Sequence, residues 1–316
     1  MSLLFFWVHS VSAVPIVNGE LESGFDSAVS LGANFGGRTF SACTGNLITP
    51  RIVLTAAHCG GDLPMDLILN VGQAFFGPSL DEATHALGFI DLIVHPDYEE
   101  LSSGFGGSLG SHDFSMLVLA EDAPAEPTLF RHEPMDVTDL GRTVKSVGFG
   151  ITSANSQVSG IKWSADLTID ELDEMFIISD SDTNPNGSNI CSGDSGGPMF
   201  HIDEEGLVTQ WAVHSWGDQT CTITSGSTRT DLVVDWIYET IETVHGTDDI
   251  CEANGYYDDD LCTTYSVCKA IDPACNQDEP EAERKIISCS SSGTNNLSGL
   301  VLPILLLLGL ARTRQQ

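Results

Sequence analysis

The chain's 316 residues suffice for one large domain or two modest ones with a well-buried core. Its 45 acidic against 12 basic residues give a formal charge of −33, which argues against nucleic acid as a partner, because phosphate binding needs clustered Lys and Arg, and suits a saline or extracellular setting. Nine cysteines, spaced unlike a single zinc site, argue against an ordinary cytosolic enzyme and point to an oxidising compartment.

In chain order, the first element is a short apolar run, residues 3–8. With Val11-Ser12-Ala13 as a small-residue cleavage site, it forms a secretory signal. No Lys or Arg precedes Arg38, so whether the chain's start is complete stays open. From Ile16 to about His245, strand-length apolar runs are broken by Gly, Asn, Pro and Ser. Strands are expected at 46–54, 67–71, 89–94, 116–119, 143–149 and 208–215, and a glycine-rich surface loop at 102–110. This pattern implies an all-β sandwich or barrel. The main helix is expected over 232–244, where Val233, Ile237, Ile241 and Val244 share one face.

Residues 248–289 are acidic, cysteine-rich and poor in branched apolar side chains. They cannot bury a core of their own and depend on disulfides. Cys251, Cys262, Cys268 and Cys275 allow three pairings. The acidic clusters at 258–260 and 278–283 fit a solvated linker or oxygen ligands for Ca²⁺. Residues 300–310 are apolar, interrupted by Pro303 and followed by Arg312 and Arg314. The run is shorter than the roughly 20 residues of a free-standing membrane helix. Lacking a polar face and ending the chain, it fits a membrane-retained sorting segment with a positive cytoplasmic stop.

The chemistry centres on Cys191-Ser192-Gly193-Asp194-Ser195-Gly196-Gly197-Pro198. Glycines beside Ser195 expose a hydroxyl nucleophile next to free backbone amides, and the N–H groups of Gly193 and Ser195 can converge on an oxyanion. The same letters fit a flexible turn or the G-x-S-x-G elbow of an α/β-hydrolase. A serine nucleophile requires a base and an acid that orients it. His58, in Leu54-Thr55-Ala56-Ala57-His58-Cys59, ends a strand-like run. A bridge from Cys59 to Cys43, sixteen positions earlier, would close a loop contributing about 3 kcal/mol and pin that histidine. Asp113 stands directly before the apolar run 114–119; buried beside an imidazole N–H it would fix the tautomer, and taken alone it fits a turn residue.

Thr55-Ala56-Ala57-His58-Cys59, His112-Asp113-Phe114-Ser115-Met116-Leu117 and Gly193-Asp194-Ser195-Gly196-Gly197-Pro198 together resemble the signature segments of the trypsin/chymotrypsin-like serine endopeptidases. Their order, His then Asp then Ser, excludes the α/β-hydrolase alternative. The resemblance covers residues 16 to about 245. It implies two antiparallel six-stranded β-barrels with a C-terminal helix, a catalytic triad of His58, Asp113 and Ser195, an oxyanion hole at Gly193 and Ser195, and protein or peptide substrates for a monomer. It also implies an activation pair between a freed Ile16 amino group and Asp194, a Cys191–Cys221 disulfide, and a substrate-binding strand at Ser215-Trp216-Gly217. No cofactor or metal is implied.

Two departures from the family pattern carry information. Pro15 stands where a trypsin-type precursor carries Arg or Lys, so activation by removal of Val14-Pro15, through an X-Pro dipeptidyl peptidase, is expected instead. Asn189 stands six residues before Ser195, where trypsin-like enzymes carry aspartate, and Ile190 narrows the wall, so Arg or Lys specificity is disfavoured. His214 and Ser192 resemble the carboxylate-receiving groups of glutamyl endopeptidases, or His214 is a strand residue only. The tail, with Cys289 before a short apolar segment and terminal arginines, resembles myxobacterial C-terminal sorting signals. The expected organisation is a signal and short propeptide at 1–15, the peptidase domain at 16–247, the acidic Cys-rich segment at 248–289 and the sorting segment at 290–316. The expected protein is a secreted or surface-anchored protease, with a catalytically silent binding or adhesion module as the alternative.

Overall fold

The computed structural model describes residues 15–61, 64–102, 108–258 and 265–276. The signal segment, Cys262, Cys289 and the apolar tail lie outside the described residues.

The first half forms a closed barrel of six strands: β1 (Ala28–Phe35), β2 (Arg38–Thr49), β3 (Ile52–Thr55), β4 (Gly72–Phe76), β5 (His85–Val94) and β6 (Ser115–Leu119). Their order around the barrel is β1-β2-β3-β6-β5-β4. The apolar run 46–54 does not alternate with polar residues because it is covered on both faces. Leu47 and Val53 face the barrel core with Leu31, Leu92 and Leu117. Ile48, Ile52 and Leu54 face a second core, shared with Phe114, Phe130, Val213 and the C-terminal helix. A turn at Pro50-Arg51 divides the run, and the Thr49 hydroxyl accepts the Ile52 N–H at 3.0 Å.

The second half adds β7 (Thr143–Gly148), β8 (Trp163–Thr168), β9 (Phe176–Asp180), β10 (Pro198–Ile202), β11 (Val208–Gly217) and β12 (Thr224–Arg229). They pair antiparallel in the order β8-β7-β10-β11-β12-β9, within a nine-stranded sheet completed by short flanking strands. This sheet does not close by a backbone ladder. Between β8 and β9 side chains take over: Ser179 Oγ donates to Thr168 O at 2.6 Å, and Asn184 Oδ1 accepts the Thr168 N–H at 2.6 Å.

Residues 67–71, expected as a strand, lie instead in helix α1 (Met65–Val71), which follows Pro64 and carries Asp66 in its first turn. A short apolar run has no period that separates strand from buried helix, and the proline and acidic first turn favour helix here. Residues 102–110, expected as loop, begin and end in paired strands, Glu99–Ser102 with Ser108–Ser111.

Helix α2 (Val234–His245) buries Ile237, Thr240 and Ile241 and ends at Gly246, whose left-handed backbone returns its N–H to Glu242 O. The chain then packs back on the same core. Helix α3 (Ile250–Ala253) places Ile250 and Cys251, both fully buried, beside Ile241 and Ile48. Cys251 is bonded to Cys268 across 17 positions, a closure contributing about 3 kcal/mol in the chain-entropy picture, and Cys275 is also disulfide-bonded. Asn254 Nδ2 reaches Ile48 O at 3.4 Å. The described residues up to Asn276 thus belong to one compact unit with the barrels.

Candidate active site

A cleft of about 370 Å³ lies where the two halves meet, and it is lined by His58, Gly193, Ser195, Ser215, Trp216 and Gly217, with Ile190, Cys191 and Cys221 deeper in its wall. The first barrel supplies His58 from the one-turn helix His58–Gly61 after β3, and Asp113 from the residue pair before β6. The second half supplies Ser195 from the loop before β10, and residues 215–217 from the end of β11.

Asp113 is fully buried and takes three hydrogen bonds. His58 N donates to Oδ1 at 2.9 Å, His58 Nδ1 donates to Oδ2 at 2.7 Å, and the Ser215 hydroxyl donates to Oδ2 at 2.6 Å. An ionised carboxylate only accepts, so the imidazole proton sits on Nδ1 and Nε2 keeps its lone pair. The residue before the aspartate is held as well. His112 adopts φ +50° and stacks on His95 at 4.9 Å, and His95 meets the Trp236 edge at 4.8 Å.

Ser195 sits in a loop that only glycines fit. Gly193 has φ +94°, and a Cβ there would lie 2.8 Å from Gly150 Cα; at Gly196, φ +80°, a Cβ would lie 2.0 Å from Thr55 Oγ1. Among the described residues, the Gly193 and Ser195 amides donate to no acceptor, whereas those of Asp194, Gly196 and Gly197 are all taken. Thr44, which no motif singled out, ties this loop to the first barrel. Its N–H donates to Ser195 O and its hydroxyl to Gly193 O, both at 2.9 Å, while it accepts Phe149 N–H at 3.0 Å. The only sequence signal for Thr44 is its place after Cys43. Cys43 is bonded to Cys59, and Cys191 to Cys221, so each wall of the cleft is cross-linked next to a site residue.

Asp194 is wholly buried, accepting from Gly150 N at 2.9 Å and Cys191 N at 2.8 Å. Burial, opposed by these two N–H groups, raises its pKa to about 7. No described cation pairs with it. Ile16 is also fully buried, against Trp163 and Ala165, and its neighbour Val17 bridges Asn189. The Ile16 nitrogen is still an amide to Pro15, and its φ of +36° is a strained setting for a β-branched residue.

The sign of the resulting linkage is set by a raised carboxyl pKa. The folded chain holds a proton that the unfolded chain releases near pH 4, so the buried group costs nothing below that pH. Its cost grows as pH rises from about 4 and is complete above about 7, on the order of 4 kcal/mol. Urea unfolding of the chain with Pro15 attached is therefore expected to show a loss of stability across this window that Asp194→Asn lacks. Parallel pH profiles for the two proteins contradict this assignment.

The positions expected to bind the substrate side chain lie beneath the cleft. Asn189 is fully buried, its Oδ1 accepting the Ile190 N–H at 2.9 Å and its Nδ2 without a described partner. His214 is fully buried, shares a hydrogen bond with Ser227 Oγ at 2.9 Å, and has an Nε2 that also lacks a described partner. Burial pushes the His214 pKa down to about 3, against the Pro198 carbonyl, so the ring is neutral. Trp216 stands edge-on to Phe176 at 6.0 Å. On the rim, the Asp218 carboxylate is consumed by N–H groups of its own loop, from Thr220, Thr222 and Ile223.

A cleft between a β-barrel and a second β-unit, with a histidine held by a buried aspartate beside a serine in a glycine loop, defines a serine hydrolase of barrel architecture. Comparison with known proteins agrees: a family described as Trypsin matches residues 16–237. The chain is 28% identical over 241 residues to the CLIP domain-containing serine protease B10 of Anopheles gambiae, covering 65% of this chain and 63% of that protein. It is 27% identical over 184 residues to a trypsin of Saccharopolyspora erythraea, covering 54% and 74%. To chymotrypsin-like elastase family member 1 of Canis lupus familiaris it is 25% identical over 269 residues, covering 76% and 99%. The matched stretch spans under two thirds of the mosquito protease and a third of the dog hepatocyte growth factor activator serine protease. The chain belongs to the trypsin family of serine endopeptidases.

Proposed function

We propose that this protein is an exported serine endopeptidase that cleaves peptide bonds through an acyl-enzyme on Ser195. The observation that carries the proposal is the set of three hydrogen bonds on buried Asp113, two from His58 and one from Ser215, in the cleft that Ser195 lines. His58 Nε2 takes the Ser195 proton as the hydroxyl attacks the scissile carbonyl, then gives it to the leaving amine. Water repeats the sequence to release the acyl group. Asp113 holds the Nδ1–H tautomer and stabilises the imidazolium. The unoccupied N–H groups of Gly193 and Ser195 receive the oxyanion, a contribution commonly of about 3 kcal/mol per donor.

Activity depends on cleavage between Pro15 and Ile16. The new ammonium pairs with Asp194, whose uncompensated burial raises its pKa to about 7, and cleavage also relieves the φ constraint at Ile16. Residues 16–247 act as the peptidase domain; Cys251, Tyr256, Tyr265 and Cys268 pack on the core it shares with α2.

The specificity pocket refuses Arg and Lys, because Asn189, buried beneath it, is neutral and the Asp218 carboxylate at its rim is taken up by N–H groups of its own loop. It prefers glutamate, whose carboxylate meets Ser192 in the cleft wall above the buried His214 and Asn189. A P1 peptide library at pH 7 is expected to show cleavage after Glu at least about tenfold above Gln, Lys and Arg; equal rates at Glu and Lys reject this pocket.

The tail retains the protein at the outer face of a bacterial membrane, with Cys289 as its processing point. Among the described residues no helix is long and apolar enough to cross a membrane. Cys289→Ser is expected to move the protein from the membrane fraction to the medium, and an unchanged distribution contradicts the anchor.

A further inference from the structure

Outside the cleft, a largely apolar pocket lies in the first barrel. Helix α1 covers the mouth of that barrel without filling it, leaving a pocket of about 260 Å³. Leu31, Leu92 and Leu117 wall it from the strands and Ile68 from the helix, with Phe40 and Leu67 at its rim. The rim side chains are exposed to an unusual degree for their size, Phe40 at 50% and Leu67 at 44%. The few polar groups in the wall are already spent. Thr55 Oγ1 donates to Thr44 O at 2.8 Å and Ser115 Oγ to Ala56 O at 3.0 Å, and no lining side chain has an unpartnered buried polar atom.

Such a pocket offers water nothing to bond. An apolar cavity of ~150 Å³ lined by Leu, Ile and Phe stays dry and takes up benzene. This one is larger, has no polar side chain in its wall beyond the already bonded Thr55 and Ser115, and has an apolar rim as an entry path. We propose that the first barrel holds a binding site for a compact apolar molecule, an alkylbenzene or fused bicyclic of about ten carbons, distinct from the peptide cleft. The gain is the burial of the ligand's own apolar surface. The site also adjoins the catalytic wall: Cys59 and Gly60, which follow His58 directly, line it.

The test uses the full disulfide-bonded chain and n-butylbenzene. At about ten times its dissociation constant the probe is expected to raise Tm by about 2–4 °C. Ala33→Leu, which puts a larger side chain into the pocket wall, and Leu67→Asp, which puts a charge at its rim, are both expected to abolish that rise. Leu67 is nearly half exposed, so the second variant folds even where the first does not. No Tm rise in the parent protein, or the parent's rise in either folded variant, overturns the proposal.

Discussion

Ser195→Ala is expected to lower kcat toward peptide substrates by about 10⁶, with KM little changed. The size follows from what the hydroxyl does. Without it there is no acyl-enzyme, and what survives is catalysis by the oxyanion donors and by binding, which exceeds the uncatalysed rate by roughly 10³ to 10⁴. The loop should keep its shape, since its positive φ values belong to Gly193 and Gly196 and its ties run through backbone atoms to Thr44. Unchanged thermal stability with lost turnover is thus the expected pair of results. Turnover within tenfold of the parent places the nucleophile elsewhere.

Asp113→Asn is expected to lower kcat by about 10⁴ near neutral pH. Asp113 accepts three hydrogen bonds in a wholly buried site. An asparagine has one acceptor oxygen, and its NH₂ takes the place of either Oδ1, facing the His58 backbone N–H, or Oδ2, facing both the His58 imidazole and the Ser215 hydroxyl. If the NH₂ faces Nδ1, the ring is forced to the wrong tautomer, with its proton on Nε2, and it no longer accepts from Ser195. Ser215→Ala separates position from charge: it removes one bond to Oδ2 and leaves the carboxylate, so its loss should be far smaller. A pH–rate profile distinguishes the two, because only Asp113→Asn removes the charge that stabilises the imidazolium. Equal losses in the two variants contradict the role given to the carboxylate.

Much of the site was legible because its chemistry is carried by short, contiguous segments. His58, Asp113 and Ser195 each sit in a run of small or apolar residues whose spacing marks a strand end. What bonds them is less local. Thr44 serves the Ser195 loop through two backbone contacts about 150 positions away, which no pattern of neighbours encodes. Ser215 was legible as part of the Ser215-Trp216-Gly217 strand, but its bond to Asp113 arises only where the two halves face each other. The fold shows the same division. The run 46–54 announced buried strands, whereas 67–71, also apolar, became helix behind Pro64 with Asp66 in its first turn, a difference that apolar content alone does not carry. The acidic segment after His245 lacked enough apolar side chains for a core of its own. It borrows one, and the register that sets Ile250 and Cys251 against Ile241 depends on the barrels already being in place.

The proposed mechanism makes Ser195, activated by His58 and Asp113, a covalent nucleophile. Its most direct test is the mass of the mature chain, starting at Ile16, after exposure to a fluorophosphonate probe. A single adduct is expected that maps to the peptide containing Ser195 and is lost in Ser195→Ala and in chains that keep Pro15 attached. An unlabelled mature chain, or an adduct that persists in Ser195→Ala, contradicts it.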